Sequence, residues 1–160
     1  MHRHDKVPSN HALGRSVTGV RGRAAGVTGD AVLKVTATCH CGAVRVYVPR
    51  APRTLTRCNC SVCRRYGALW AYFSASSVHI KAPPGGLSRY SWRRKVRSYF
   101  RCKRCGCVTH YKYRKKGPGY PVAVNATNFE PAVLQGGRIR KLDGAATWNW
   151  KYERQPYAPW

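Results

Sequence analysis

Seven of the eight cysteines fall into three tight clusters: Cys39-His40-Cys41-Gly42, Cys58-Asn59-Cys60-Ser61-Val62-Cys63 and Cys102-Lys103-Arg104-Cys105-Gly106. Thiols two or three residues apart on a turn converge readily on one ion, and a following glycine permits the close backbone approach. Such clusters place turns at set points along the chain. Thiolate-rich, redox-silent tetrahedral sites suit zinc best. The clustered thiols divide as four plus three. Four close a structural site, whereas three leave the fourth corner exchangeable, as catalytic zinc sites do. Cys107 opens a rival count of eight, in which both sites close and no chemistry occurs at the metal. Iron–sulfur clusters also take thiolates, but the middle spacing matches none of the usual ferredoxin patterns. A disulfide framework is the remaining alternative; without a secretory signal, clustered thiols fit the reducing cytosol and a metal better.

The stretches between clusters read as short strands. Residues 33–38 and 43–48 alternate, with Val44, Val46 and Val48 on one face, and bracket the first cysteine turn. Residues 69–74 form an aromatic-rich strand, followed by 78–80, 87–92, 96–100, 108–113 and 122–125. Pro83-Pro84-Gly85-Gly86 and the basic turn Arg93-Arg94-Lys95 separate members of that series. Only residues 61–66 suit a single helical turn. The expected fold class is mostly β, built of short antiparallel strands. Residues 1–31 hold five glycines and no apolar periodicity, so they read as a basic, disordered extension. Residues 32–152 then form the zinc-binding domain, and 153–160 a C-terminal tail. No apolar run is long enough to span a membrane.

Charge points to the partners. Thirty Lys and Arg stand against five Asp and Glu, a formal +25, and residues 31–129 contain no acid at all. Such a balance favours anionic partners: nucleic acid, anionic lipid, or a small carboxylate or phosphate. Seven thiolates holding two dications remove only three charges, leaving +22.

The three ordered motifs, Cys-x-Cys-Gly, Cys-x-Cys-Ser-x-Cys and Phe100-x-Cys102-x-x-Cys105-Gly106, resemble the glutathione-dependent formaldehyde-activating enzyme family, whose domain is shared with centromere protein V. The resemblance covers roughly Lys34 to Trp150. It implies a mostly-β, tent-like fold with two zinc ions. Cys39, Cys41, Cys102 and Cys105 would hold the structural ion, and Cys58, Cys60 and Cys63 the catalytic one. It further implies carbon–sulfur lyase or synthase-like chemistry on a thiol adduct such as S-hydroxymethylglutathione, made from glutathione and formaldehyde; the expected compartment, from the clustered thiols, is cytoplasmic. A non-enzymatic zinc module binding nucleic acid through its basic surface is the competing expectation.

Other residues carry paired readings. His40 and His110 are either ligands or proton shuttles, or simply hydrogen-bonded or exposed side chains. Arg64 and Arg65 directly follow the middle cluster and are the best-placed cations for an anionic substrate, unless they only stabilise thiolates. Trp70 and Tyr72 share a strand face that stacks a ligand or packs a core. The run Trp92–Arg97, with Tyr90 and Tyr99 nearby, has nucleic-acid-binding character or is a solvated turn. Asn125 and Asn128 line a pocket or serve as turn residues.

Overall fold

A computed structural model describes residues 35–117 and 119–156. The extension expected over residues 1–31 lies outside the described residues. The observed architecture is mostly β, as the sequence implies. In chain order the elements are β1 (Val35–Thr38), β2 (Arg45–Val48), β3 (Thr54–Cys58), α1 (Ser61–Tyr66), β4 (Leu69–Phe73) and β5 (His79–Lys81). They continue with β6 (Leu87–Ser91), β7 (Arg97–Cys102), β8 (Val108–Tyr113), β9 (Val122–Asn125), β10 (Arg138–Leu142) and β11 (Trp150–Pro156). β11 runs past residue 152, where the sequence places the end of the domain, because it pairs antiparallel with β10. No helix among the described residues is long and apolar enough to cross a membrane.

Two sheets form. The smaller has the order β1-β2-β5; the larger runs β11-β10-β3-β4-β9-β8-β7-β6. All described pairings are antiparallel except β3 with β10, which run parallel from Arg138 opposite Thr54 to Leu142 opposite Cys58.

Side-chain alternation along the strands divides the large sheet into two working faces. On one face Leu69, Ala71 and Phe73 of β4, Val122 and Val124 of β9, Leu55 of β3 and Ile139 of β10 pack against Ala37, Val46 and Val48 of the small sheet. Each Val, Leu, Ile or Phe side chain among them contributes on the order of 1.5–3 kcal/mol on burial. The opposite face presents Trp70 of β4, Tyr99 of β7, Tyr111 of β8 and Ala123 of β9, clustered with Cys58, Cys63 and Leu142. Two-sided burial explains why β4 and β9 lack an alternating polar face. It also places the middle cysteine cluster at the end of an aromatic wall.

Candidate active site and metal centres

The first and third cysteine clusters meet. Cys39, Cys41, Cys102 and Cys105 converge with all four sulfurs within 4.8 Å of one another. Cys39 Sγ and Cys102 Sγ each lie 3.7 Å from Cys41 Sγ. With metal–sulfur bonds of about 2.3 Å, a tetrahedral ion has sulfur–sulfur edges of ~3.8 Å, so these sulfurs stand at ligating separation. The two turns are built alike. Gly42 (φ 74°) and Gly106 (φ 76°) adopt the left-handed conformation that a Cβ disfavours. Their amides donate to the carbonyls of Cys39 (2.8 Å) and Cys102 (2.9 Å), closing each loop. The amides of Cys39 and Cys102 donate five residues ahead, to Val44 and Cys107. Cys107 thus takes the strand-entry place that Val44 takes in the first turn, and it lies outside both converging sets.

The middle cluster makes the second set. Cys58 ends β3, Cys60 precedes α1 and Cys63 lies within it, and their sulfurs also fall within 4.8 Å of one another. Both sets could hold a metal ion, and all eight cysteines are free thiols. A thiol contact from Cys63, aided by the amides of Cys60 and Gly144, lowers the Cys58 pKa to about 6 against the opposing effect of burial. The same contact, together with burial, pushes Cys63 up. The Trp70 indole N–H donates to Cys63 Sγ at 3.2 Å and partly offsets that rise. At the four-thiol set burial drives Cys39 up to about 12. At Cys105 burial is outweighed by the amides of Cys107 and Cys41, and the pKa falls to about 6. Each set therefore pairs an easily ionised thiol with a resistant one, a distribution that a bound cation would override.

A cavity of about 430 Å³ opens on the three-thiol set and touches Cys58, Cys60 and Cys63. Its walls are the aromatic face of the large sheet together with Trp148, Trp150, Arg97 and Arg140, and no acid lines it. A larger cavity, about 890 Å³, reaches Cys58 and Cys63 from another side but not Cys60. The smaller one touches all three sulfurs, which the larger one does not. Arg97 stands over Tyr113 (4.9 Å), Trp148 (5.2 Å) and Tyr111 (5.7 Å), and its buried Nε has no hydrogen-bond partner among the described residues. Burial opposes its charge, but a bond with Tyr113 and the surrounding phenols hold its pKa above the ordinary value. Arg140 lies 3.9 Å over Trp150 and 5.6 Å from Tyr72, with Nε donating to Thr56 Oγ1 at 2.9 Å. Each cation–π contact contributes about 0.5–2 kcal/mol and fixes the direction of the guanidinium. The Tyr111 hydroxyl donates to the Tyr72 hydroxyl at 3.3 Å, which leaves the Tyr72 proton for another acceptor. Burial raises the pKa of Tyr72, Tyr99 and Tyr111, so all three remain neutral donors.

The remaining sequence candidates separate cleanly. Trp70 and Tyr72 line the chamber, and Trp70 also packs the core at 1% exposure. Arg64 lines the larger cavity, whereas Arg65 donates to the Ser61 carbonyl and lines an outer groove; neither reaches the smaller chamber. His110 is buried on the other face of β8, stacked on Phe100 at 4.6 Å and bonded through Nδ1 to Thr109 Oγ1. His40 is exposed on the first cysteine turn. Asn125 and Asn128 both donate to the Val108 carbonyl at 2.9 Å and tie β9 and the turn after it to β8. Sequence reasoning missed Arg140 altogether and assigned Arg97 to the outer surface. The signal for Arg97 lay in strand alternation, which puts it on the same side as Tyr99.

The sequence profile of the family described as glutathione-dependent formaldehyde-activating enzyme matches residues 34–135. A crystallographically solved Rhodobacter sphaeroides protein superposes with a TM-score of 0.52 at 30% identity, over 60% of this chain and 88% of that one.

Proposed function

Because the chain belongs to the glutathione-dependent formaldehyde-activating enzyme family, we propose that it is a zinc-dependent carbon–sulfur lyase or synthase acting on a thiol–aldehyde adduct such as S-hydroxymethylglutathione. Cys39, Cys41, Cys102 and Cys105 hold the structural zinc in this reading, and Cys58, Cys60 and Cys63 the catalytic one. The observation that carries it is the convergence of three sulfurs, not four, on the wall of an acid-free, aromatic chamber with two guanidinium groups. A zinc ion bound there would supply Lewis acidity and lower the pKa of a substrate thiol.

The chain's own residues perform the rest. Arg97 and Arg140 bind the anionic groups of the thiol substrate, since each is held by ring contacts in the chamber wall. Trp70, Tyr99, Tyr111 and Trp148 exclude water from the reacting carbon and sulfur. Tyr72 donates its free proton to the aldehyde oxygen, with Tyr111 holding it in place. In the synthetic direction the thiol sulfur bonds to the aldehyde carbon, the C=O π bond breaks, and the thiol proton is balanced by protonation of the oxygen. The reverse cleaves that carbon–sulfur bond. Free thiols in this number fit the reducing cytoplasm.

The test is native mass spectrometry of metal-replete full chain titrated with glutathione, alongside NMR-detected turnover of S-hydroxymethylglutathione. Two zinc ions and a glutathione complex are expected, with Cys60→Ser losing both that complex and turnover. Two ions with no thiol bound at high glutathione, or full turnover in Cys60→Ser, would defeat the reading.

A further inference from the structure

The basic and aromatic run at the β6–β7 hairpin divides between two surfaces. Arg97 turns into the thiol chamber, whereas Tyr90 and Trp92 stand 38% and 49% exposed. The hairpin tip carries Arg93 and Lys95 at φ 47° and 53°. Side chains with a Cβ are disfavoured there, and glycine or asparagine is the ordinary occupant. The tip instead presents Arg93, Arg94 and Lys95 together.

Between this hairpin and α1 lies a separate groove of about 630 Å³, with Arg65 and Tyr66 on one side and Tyr90, Trp92 and Arg101 on the other. Tyr66 packs edge-on against Tyr99, ring centroids 5.7 Å apart, and this pair forms the partition from the thiol chamber. Tyr90 sits opposite Tyr99 and Ser88 opposite Arg101 in the β6–β7 register, so the rings and the guanidinium share one face. Arg101 Nε donates to Ser88 Oγ at 2.9 Å, and Arg65 Nη1 to the Ser61 carbonyl at 3.0 Å. Each bond occupies one of five guanidinium donors and anchors the side chain along the groove. All of these residues belong to the 31–129 stretch that contains no acid.

We propose that this groove binds single-stranded nucleic acid, with bases stacked on Tyr90 and Trp92 and phosphates held by Arg65, Arg101 and the hairpin tip. Exposed π faces interleaved with guanidinium groups provide for unstacked bases and backbone charge together. A duplex keeps its base faces stacked and offers only edges in its grooves, so the rings would gain nothing from it. The proposal stands independently of the chemistry at the three-thiol set.

Fluorescence anisotropy on the full, metal-replete chain decides it, using a labelled oligothymidylate of about twelve nucleotides and a duplex of equal length. Trp92→Ala and Tyr90→Ala are each expected to weaken single-strand binding about tenfold at fixed salt, without changing the salt slope. Trp92→Phe should restore most of the loss. Arg93→Gln combined with Lys95→Gln should reduce the slope of log affinity against log salt by about 1.4, roughly 0.7 per phosphate contact. Both aromatic positions are exposed, and circular dichroism with metal content checks that the variants are folded. Trp92→Leu, which keeps apolar area but removes the π face, should behave like Trp92→Ala. If the aromatic variants bind as tightly as the parent, or the duplex binds as well as the single strand, charge alone is responsible and the proposal fails. It fails equally if anionic phospholipid vesicles outcompete the oligonucleotide in the parent but not in the aromatic variants.

Discussion

A Cβ placed on Gly144 would stand 2.6 Å from Cys58 Sγ and 3.3 Å from the Cys60 Cβ, closer than packed side chains allow. The loop that brings Gly144 there is held by Asp143. Its Oδ1 accepts from Asn59 Nδ2 at 2.8 Å and its Oδ2 from the Thr147 hydroxyl at 2.8 Å. Those bonds, that from Asn59 foremost, lower the Asp143 pKa to about 2 and keep it an acceptor at any working pH. Gly144→Ala is therefore expected to reduce the metal content from two ions to one per chain, measured by native mass spectrometry, because only the three-thiol set is crowded. Retention of both ions would show that the loop yields. His110 provides a different test. Burial pushes its pKa down to about 3, with Lys112 adding to the effect. The unfolded chain then binds one more proton than the folded one between about pH 3 and 6.5, so this contribution is complete above pH 6.5 and is lost as the pH falls. Relative to His110→Leu, the parent should lose roughly 1.4 kcal/mol per pH unit below about pH 6 in denaturant titrations. Parallel curves would mean that His110 titrates normally. At this scale the three cysteine clusters were legible because the spacing within each is local, whereas the meeting of the first with the third, some sixty positions apart, was implied only by the family resemblance. Arg97 and Arg140 were not legible, because their role depends on rings contributed by strands far away in sequence.

α1 has six residues and no side-chain bond at its N-cap. A helix so short is not stable by itself, since nucleation is unfavourable and too few bonds follow. It is held at Cys63 and by Tyr66 against Tyr99, and backbone bonds tie its ends: Arg64 to Cys60 at 3.0 Å, Gly67 to Arg64 at 3.3 Å and Ala68 to Cys63 at 3.2 Å. Chelation of an ion bound at the three-thiol set should release this element first. Hydrogen exchange followed by NMR should show the amides of Arg64, Gly67 and Ala68 accelerating about a hundredfold, while Val124 in the middle of the sheet stays protected. Uniform acceleration would instead mean that the fold opens as one unit. The sequence reading placed α1, β8 and β9 at their observed bounds, because each has a clear period or sits between plain turn signals. It missed β3, β10 and β11. Arg-Ile-Arg-Lys-Leu in β10 looks like a solvated segment until Trp150 and Tyr72 cover Arg140. The parallel pairing of β3 with β10 joins residues more than eighty positions apart, and no local pattern encodes it.

At the scale of the whole molecule, charge governs behaviour more than any single contact. A chain of 160 residues with a formal +25 repels itself when compact, and unfolding relieves that repulsion by moving the charges apart. The Debye length shrinks from about 30 Å at 0.01 M salt to about 8 Å at 0.15 M. Repulsion between opposite sides of the molecule is therefore screened across that range, while contacts such as Arg140 on Trp150 at 3.9 Å are short enough to persist. The expected result is a thermal midpoint that rises with added salt below about 0.2 M. Potassium chloride and potassium acetate should agree, because screening depends on ionic strength and not on ion identity. If sulfate at equal ionic strength raised the midpoint much further, a bound anion would be responsible, and the chamber with Arg97 and Arg140 would be its first address. A double variant separates the two cases: in Arg97→Met with Arg140→Met the sulfate excess should vanish while the general rise remains. A midpoint that falls with salt would mean that attractive pairs outweigh the excess of cations, contrary to a composition of thirty bases against five acids.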